Sequence, residues 1–260
     1  MATKIRDLYG LDFAQGLAGR LQAVDPAFGA QAMLAFLKAH LGEEPFLARM
    51  ALYADALETG LGRDYLDALA LFHQALGPVL PGETGMFTTG YWLWPIARFV
   101  QRHCLAAPLE SLAFIRELTC RHTGEFAVRP LLAQRPDLAM QAFDAWSLDP
   151  CVHVRRLASE GMRPRLPWAA RCDAALDFPE TYARVLARLK DDPSRFVQKS
   201  VGNNLNDLYR VRPAMAEGII ASWQQGELSP QAEWVIRHAR RRLRRGADSK
   251  SNMKPASADR

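Results

Sequence analysis

The stretch "DPCVHVRRLASEG" at residues 149–161 recurs 43 residues later as "DPSRFVQKSVGNN" at residues 192–204. Asp-Pro and the following valine are identical in the two copies, and Arg156 corresponds to Lys199. A third segment, "SPQAEWVIRHARRRL" at 229–243, again places a proline before a basic helix. Periods of roughly 40–47 residues are typical of HEAT and armadillo-like repeats, which stack paired helices into a curved solenoid.

The rest of the chain also has a helical pattern. Apolar residues recur at spacings of three and four, as in Leu17, Leu21 and Val24, and the hairpin dipeptides Asn-Gly and Asp-Gly are absent. Regularly spaced prolines mark helix starts or ends, which gives an all-α fold of about twelve helices. In each repeat copy, Asp or Ser before Pro predicts a capping residue followed by proline at the first helical position.

The basic residues are unevenly distributed. The formal net charge is +5, but residues 237–260 hold nine lysines and arginines against two acids. Residues 121–212 hold 15 basic and 11 acidic residues, and the flanking segments are acidic. This pattern suits a polyanion-binding stripe, although a solvated helical surface could also produce it. We expect a single domain over residues 1–245 and a disordered tail over 246–260, which lacks apolar periodicity.

The composition indicates a cytoplasmic protein. Asp7 and Asp12 interrupt the region where a signal peptide would be apolar, and no apolar run is long enough to cross a membrane. The four cysteines form no Cys-x-x-Cys pair and are expected to be reduced thiols. Cys120/His122 and Cys151/His153 repeat a Cys-x-His spacing, but residues i and i+2 face different sides of a helix. We therefore expect no metal site. We also expect that the protein needs no cofactor, does not contact a membrane and is a monomer.

Each of the two repeat helices presents a polar stripe beside its apolar one. In the first copy the stripe contains His153, Arg156, Glu160 and Arg163. In the second copy it contains Lys199, Asn203, Asn206 and Asp207. If the copies stack, Asn203 lies opposite Glu160 and the stripes join into one groove of the kind that binds phosphates.

Two features of this groove allow a simpler interpretation. Arg156 and Glu160 could form an ordinary i, i+4 salt bridge on a solvated face. Trp168 could be buried in a loop between repeats, or it could return beside the C-terminal end of the helix that carries Glu160. The segment "NNLND" at 203–207 favours a special environment, because Asn and Asp disfavour helix interiors.

Several motifs resemble a known family, the AlkC branch of the AlkC/AlkD-like DNA alkylation repair glycosylases. They are "HVRRLASEGMRPRLPW" at 153–168, "SVGNNLNDL" at 200–208, "LTCRHTGEFAVRPLL" at 118–132 and "WVIRHARRRLRRG" at 234–246. The first is the most specific, while in the second Gly202 stands where the family usually has alanine. Residues 60–246 carry the resemblance.

The resemblance implies a HEAT-like fold that holds duplex DNA in its concave face and hydrolyses the N-glycosidic bond of cationic methylated bases, chiefly 3-methyladenine. It implies active-site roles for Glu125, Glu160 and Trp168, and a weaker one for Asp207. Together with the groove it gives the following DNA-binding candidates: His153, Arg155, Arg156, Arg163, Arg165, Lys199, Asn203, Asn204 and Asn206.

The residue types suit this chemistry. A base alkylated at N3 is cationic and already a good leaving group, so a carboxylate that stabilises a sugar cation and positions water is sufficient. An aromatic face can hold the cation, and arginines can hold flanking phosphates. The only lysine beside these motifs is Lys199, directly before the second one, which favours a monofunctional hydrolase over a lyase. The alternatives are a non-catalytic scaffold that binds DNA or protein, and a binder of branched DNA.

Overall fold

The structure, a computed structural model, describes residues 5–241 and residue 243. Within these residues there are thirteen α-helices and no strand, which confirms the predicted all-α fold. The helices are α1 Leu11–Val24, α2 Ala30–His40, α3 Phe46–Leu61, α4 Tyr65–Ala75, α5 Trp94–His103, α6 Pro108–Thr119, α7 Arg129–Gln134, α8 Pro136–Trp146, α9 Val152–Glu160, α10 Pro179–Leu189, α11 Arg195–Val211, α12 Pro213–Trp223 and α13 Pro230–Ala239. The 3₁₀ helices are Ile5–Leu8, Tyr91–Leu93, Cys104–Ala106 and Ala174–Asp177.

The second half of the chain is a two-layer helical repeat. Helices α8, α10 and α12 each carry proline in the first turn and pack side by side in the first layer. Helices α9, α11 and α13 pack side by side in the second layer, with α11 in the middle. The apolar stripes predicted from the repeat lie between the layers, where Val154, Leu157, Val197 and Leu205 are buried. This arrangement confirms the predicted helical repeat fold.

The capping prediction is correct only for the third copy. Ser229 caps α13 by accepting from the amide of Ala232, with Pro230 at the first helical position. In the first two copies the helix begins two residues after the proline, so Asp149 and Asp192 are not caps. Each aspartate instead accepts from the amide two residues on, as in an Asx-turn, at 2.8 and 2.9 Å.

These two aspartates also connect consecutive repeats. Arg116 of α6 pairs with Asp149 at 2.8 Å, and Arg155 of α9 pairs with Asp192 at 2.7 Å. Both carboxylates are buried, so each arginine compensates a charge that would otherwise be unpaired at a helix junction. The repeated pair fixes how far each helix is displaced along its neighbour.

A loop after α9 carries Trp168. The buried Arg129 of α7 holds this loop by donating to the carbonyls of Gly161 (3.2 Å), Arg163 (2.8 Å) and Ala170 (2.9 Å). Trp168 has a φ of +64°, the only positive φ among the described non-glycine residues. Such a conformation costs about 1 kcal/mol or more in a residue with a side chain, and the anchored loop maintains it.

None of the described helices has the length and apolar character needed to cross a membrane. The tail predicted over 246–260 lies outside the described residues, as does part of the basic segment at 237–260.

Candidate active site

Five of the predicted site residues form one continuous ion-pair chain. Arg156 Nη1 lies 2.7 Å from Glu125 Oε2, and Arg156 Nη2 lies 3.5 Å from Glu160 Oε1. Arg163 donates to Glu160 Oε1 at 2.6 Å and to Asp207 Oδ2 at 2.8 Å. Three carboxylates thus share these two guanidinium groups.

The ion-pair chain joins three of the four family motifs. Glu125 lies in the turn before α7, Arg156 and Glu160 lie on α9, and Asp207 lies on α11. All five side chains are largely buried, so the Arg156–Glu160 contact is not the solvated salt bridge of the simpler interpretation. The packing of α9 against α11 and α6 brings these distant segments together.

The arginines keep Glu160 ionised in spite of its burial. Burial alone would raise the pKa of this carboxyl, but the charges of Arg156 and Arg163 and a hydrogen bond from Ser200 hold the pKa below its ordinary value. In turn, Glu125 and Glu160 outweigh burial and raise the pKa of Arg156. Glu160 and Arg156 are therefore both charged near neutral pH.

The two glutamates differ in the hydrogen bonds that they accept. Both oxygens of Glu160 are engaged, Oε1 by Arg163 and Oε2 by the Ser200 hydroxyl at 2.6 Å. In Glu125, Oε2 accepts a hydrogen bond from the Thr123 hydroxyl and also pairs with Arg156. Its Oε1 accepts no hydrogen bond from any described residue. Glu125 thus retains an oxygen that can accept a hydrogen bond from a bound molecule.

Both glutamates and Trp168 line one cavity of 170 Å³, together with Phe87, Trp94, Phe126 and Pro167. The loop prolines therefore bring the indole to the acids, and Trp168 is not buried: 63% of it is exposed. Its ring centroid lies 6.2 Å from that of Phe46. Asp207 does not line the cavity. It is connected to the cavity residue Glu160 through Arg163. We name this space the carboxylate cavity.

Three predicted DNA contacts are buried and serve the fold instead. His153 Nε2 lies 2.7 Å from the carbonyl oxygen of Gly82. The amides of Asn204 and Asn206 donate to the carbonyls of Ser159 (2.7 Å) and Ala239 (2.6 Å), near the ends of α9 and α13. Because carbonyls in a last helical turn have no intrahelical donor, these amides satisfy them. Their burial corrects the prediction that these side chains contact DNA.

The other predicted contacts are distributed differently. The Arg155 guanidinium is engaged by Asp192 and by the carbonyls of Asp149 and Pro150, so it connects repeats. Arg165 and Lys199 are exposed. Asn203 is half-buried and accepts from Arg241 at 2.9 Å instead of facing Glu160. Arg165, Lys199 and Asn203 stay as predicted DNA contacts that the structure leaves accessible.

Several residues that line the cavity or hydrogen-bond to its acids were not predicted from the sequence. Phe126 directly follows Glu125, and Ser200 begins the second motif, so proximity to a motif could have indicated both. Trp94 and Phe87 come from a separate segment and have no local signal. Among the residues that the structure describes, no group of three His, Cys, Asp or Glu side chains could hold a metal ion. His122 and His153 both point to backbone carbonyls.

Comparison with known proteins finds relatives in sequence and in fold, although no family model matches the chain. The chain is 31% identical over 248 residues to the protein YhaZ of Bacillus subtilis (strain 168), covering 95% of this chain and 66% of YhaZ. It is 32% identical to the alkylpurine DNA glycosylase AlkC of Pseudomonas fluorescens, solved bound to DNA containing an abasic site analog. That match has a TM-score of 0.80 and covers 93% of this chain and 64% of AlkC.

The chain thus spans slightly less than two thirds of the length of either relative. The fold match extends over nearly all of this chain. By sequence and by fold, the chain belongs to the AlkC branch of the AlkC/AlkD-like family.

Proposed function

We propose that this protein is a DNA glycosylase that hydrolyses the N-glycosidic bond of cationic alkylated bases, of the 3-methyladenine type, in duplex DNA. The observation that carries the proposal is the carboxylate cavity, in which two glutamates face aromatic rings. The similarity to an alkylpurine DNA glycosylase supports the proposal at the level of reaction class. We further propose that the protein acts as a monomer on bacterial DNA in the cytoplasm.

The cavity selects for positive charge. Its rings, Phe87, Trp94, Phe126 and Trp168, offer π faces to a cationic base, an attraction of roughly 0.5–2 kcal/mol per good contact. At 170 Å³ the cavity is smaller than the roughly 300–1,000 Å³ of common ligand pockets, so it suits one base or sugar edge and not a whole nucleotide.

The two glutamates take different roles in this reaction. As the C1′–N bond breaks, its electron pair passes to the base, which becomes neutral, and positive charge develops on the sugar. Glu160, held at both oxygens, provides fixed negative charge for that cation without reorganising. Glu125, through its available Oε1, orients the water that attacks C1′ and accepts the proton that the water loses.

No lysine lines the cavity, so a Schiff-base step has no nucleophile there. The accessible Arg165, Lys199 and Asn203 lie on the segments that carry the site, and we assign them to the DNA backbone. Arg156 and Arg163 are engaged by carboxylates, and their role is to orient the acids.

Release of 3-methyladenine from methylated duplex DNA tests the function. We expect release by the wild type, a loss of roughly 10²-fold or more in the single-turnover rate for Glu125→Gln, and a comparable loss for Glu160→Gln. Glu180→Gln, which alters an exposed acid at the start of α10, is the matched control and should leave the rate unchanged.

DNA binding without base release, with the Gln variants indistinguishable from the wild type, would favour a non-catalytic scaffold and refute the glycosylase. A loss of rate in Glu160→Gln but not in Glu125→Gln would show that Glu160 orients the attacking water, and would refute the assignment of this role to Glu125.

A further inference from the structure

A second cavity of 380 Å³ adjoins the carboxylate cavity. It is enclosed by α3, α5, α7 and the Trp168 loop, and it shares three aromatic walls with the first cavity: Trp94, Phe126 and Trp168. The indole of Trp168 thus borders both spaces. We name the second space the Arg98 cavity, after the α5 residue in its wall.

The charged groups that line the Arg98 cavity are all arginines. Arg129 is engaged by three backbone carbonyls, and Arg171 is paired with Asp173. Arg98 forms no ion pair within the described residues, and its one hydrogen bond there is to Oε1 of Gln101 at 2.8 Å. Its Nε is buried without a partner. Asp55, which also acts on Arg98, is already paired with Arg102.

An arginine in this setting is energetically unfavourable. Its burial, together with the charge of Arg102, lowers the pKa of Arg98. A half-buried guanidinium without an ion-pair partner is unfavourable, and a bound anion would reduce that cost. Planar bidentate recognition by arginine suits a phosphate group in particular.

The remaining walls are apolar and aromatic, so the cavity combines stacking surfaces with one cation. Proteins that bind unstacked nucleotides use this combination: rings for the base and arginine or lysine for the phosphate. The cavity is more than twice as large as the carboxylate cavity and falls within the usual range for small-molecule sites.

We propose that the Arg98 cavity binds the nucleotide next to the damaged one in the same DNA strand, with its phosphate on Arg98 and Trp168 standing between the two nucleotides. This inference rests on the proposed function, which places the damaged nucleotide at the carboxylate cavity. It gives the positive φ of Trp168 a purpose, because the strained backbone projects the indole between the two spaces.

Binding measurements test the inference without reference to base release. The affinity for a duplex with an abasic-site analogue is measured over a range of salt concentrations for the wild type, Arg98→Gln, Arg98→Lys and Arg184→Gln. Losing one phosphate contact should reduce the slope of log K against log [salt] by about 0.9 in Arg98→Gln, and lysine should restore it. Arg184, an exposed residue of α10 paired with Asp144, is the control and should not change the slope.

An unchanged slope in Arg98→Gln would overturn the inference. So would tight binding of free deoxyadenosine monophosphate that requires Arg98 while the DNA slope stays the same, because the ligand would then be a free nucleotide. Arg98→Gln should fold at least as stably as the wild type, since it removes a half-buried charge that has no ion-pair partner among the described residues.

A second measurement needs no variant. 2-Aminopurine is placed beside the abasic site, on either flank, or several nucleotides away. Stacking in the cavity predicts that binding changes its fluorescence several-fold more at one flanking position than at the remote one. Equal fluorescence changes at the flanking and remote positions would overturn the inference. Either result is separable from a failure of the glycosylase, which would appear as an absence of base release with the binding results intact.

Discussion

The hydroxyl of Ser200 donates to Oε2 of Glu160 at 2.6 Å across the interface of α9 and α11. This bond joins the first and second motifs. It completes the set of donors that keeps a buried carboxylate ionised and immobile.

Removing this bond should affect catalysis more than binding. In Ser200→Ala, one oxygen of Glu160 loses its donor, which costs about 1.5–3 kcal/mol for a hydrogen bond to a charged group. We expect the single-turnover rate of base release to fall by roughly tenfold or more while DNA affinity is unchanged, because the acid is misplaced but no phosphate contact is lost. Ser200→Thr should retain most of the rate. Equal losses in rate and affinity would argue against a positioning role.

Arg155 is expected to act on stability and not on DNA. Arg155→Gln leaves Asp192, a buried carboxylate, without its ion-pair partner, so the free energy of unfolding should fall by roughly 1–3 kcal/mol. The salt dependence of DNA binding should match the wild type. Lys199→Gln, which removes an exposed charge of α11, serves as the opposite case, with unchanged stability and a shallower slope. A shallower slope in Arg155→Gln would restore Arg155 as a phosphate contact.

Trp168 should be important for function and unimportant for stability. Its ring is mostly exposed and its backbone is strained, so Trp168→Gly removes few contacts and relieves the positive φ. We expect an unchanged or higher melting temperature together with a strong loss of base release. Trp168→Phe keeps an aromatic face and should lose less. A large drop in melting temperature for Trp168→Gly would show instead that the indole holds the loop.

His122 should make the fold sensitive to mild acid. Burial lowers the pKa of this histidine to about 4, with a hydrogen bond to the carbonyl of Met86 acting in the opposite direction. The unfolded chain takes up the proton near pH 6.5 and the folded chain near pH 4. Stability is therefore complete above pH 6.5 and decreases as the pH falls toward 4, by roughly 1.4 kcal/mol per unit.

Denaturant titrations at several pH values check this. His122→Asn keeps a donor for the Met86 carbonyl and should show a flatter dependence between pH 6.5 and 4, even if it is less stable at pH 7. Identical pH profiles for variant and wild type would exclude His122 as the source.

Gly161 should tolerate no side chain. A Cβ there would lie 2.6 Å from Cε1 of Phe143, in the interface of α8 and α9 directly after Glu160. Overpacking of this kind costs typically 1–3 kcal/mol, so Gly161→Ala should lower the melting temperature. Gly218→Ala, at a glycine of α12 with open space around it, is the control and should be neutral or slightly stabilising.

The sequence alone determined the repeat and three of the residues that line the carboxylate cavity. The 43-residue offset matches the distance from the start of α9 at Val152 to that of α11 at Arg195. The two glutamates and Trp168, taken from the family motifs, line one cavity. The repeat depends on residue order and helical periodicity, which can be read without coordinates, whereas the glutamates and Trp168 were identified by the resemblance to the family.

Only the tertiary structure decided which polar residues face solvent. The pattern placed Asn206 on an exposed stripe, but α13 packs over that side of α11. The side-chain amide of Asn206 therefore donates to the Ala239 carbonyl of α13. Likewise Arg155 forms an ion pair with Asp192 of the neighbouring repeat. Periodicity defines a stripe on one helix, whereas the elements that cover the stripe come from elsewhere in the chain. The same reason explains why Trp94 and Arg98, which belong to none of the motifs, were found at the site only through packing.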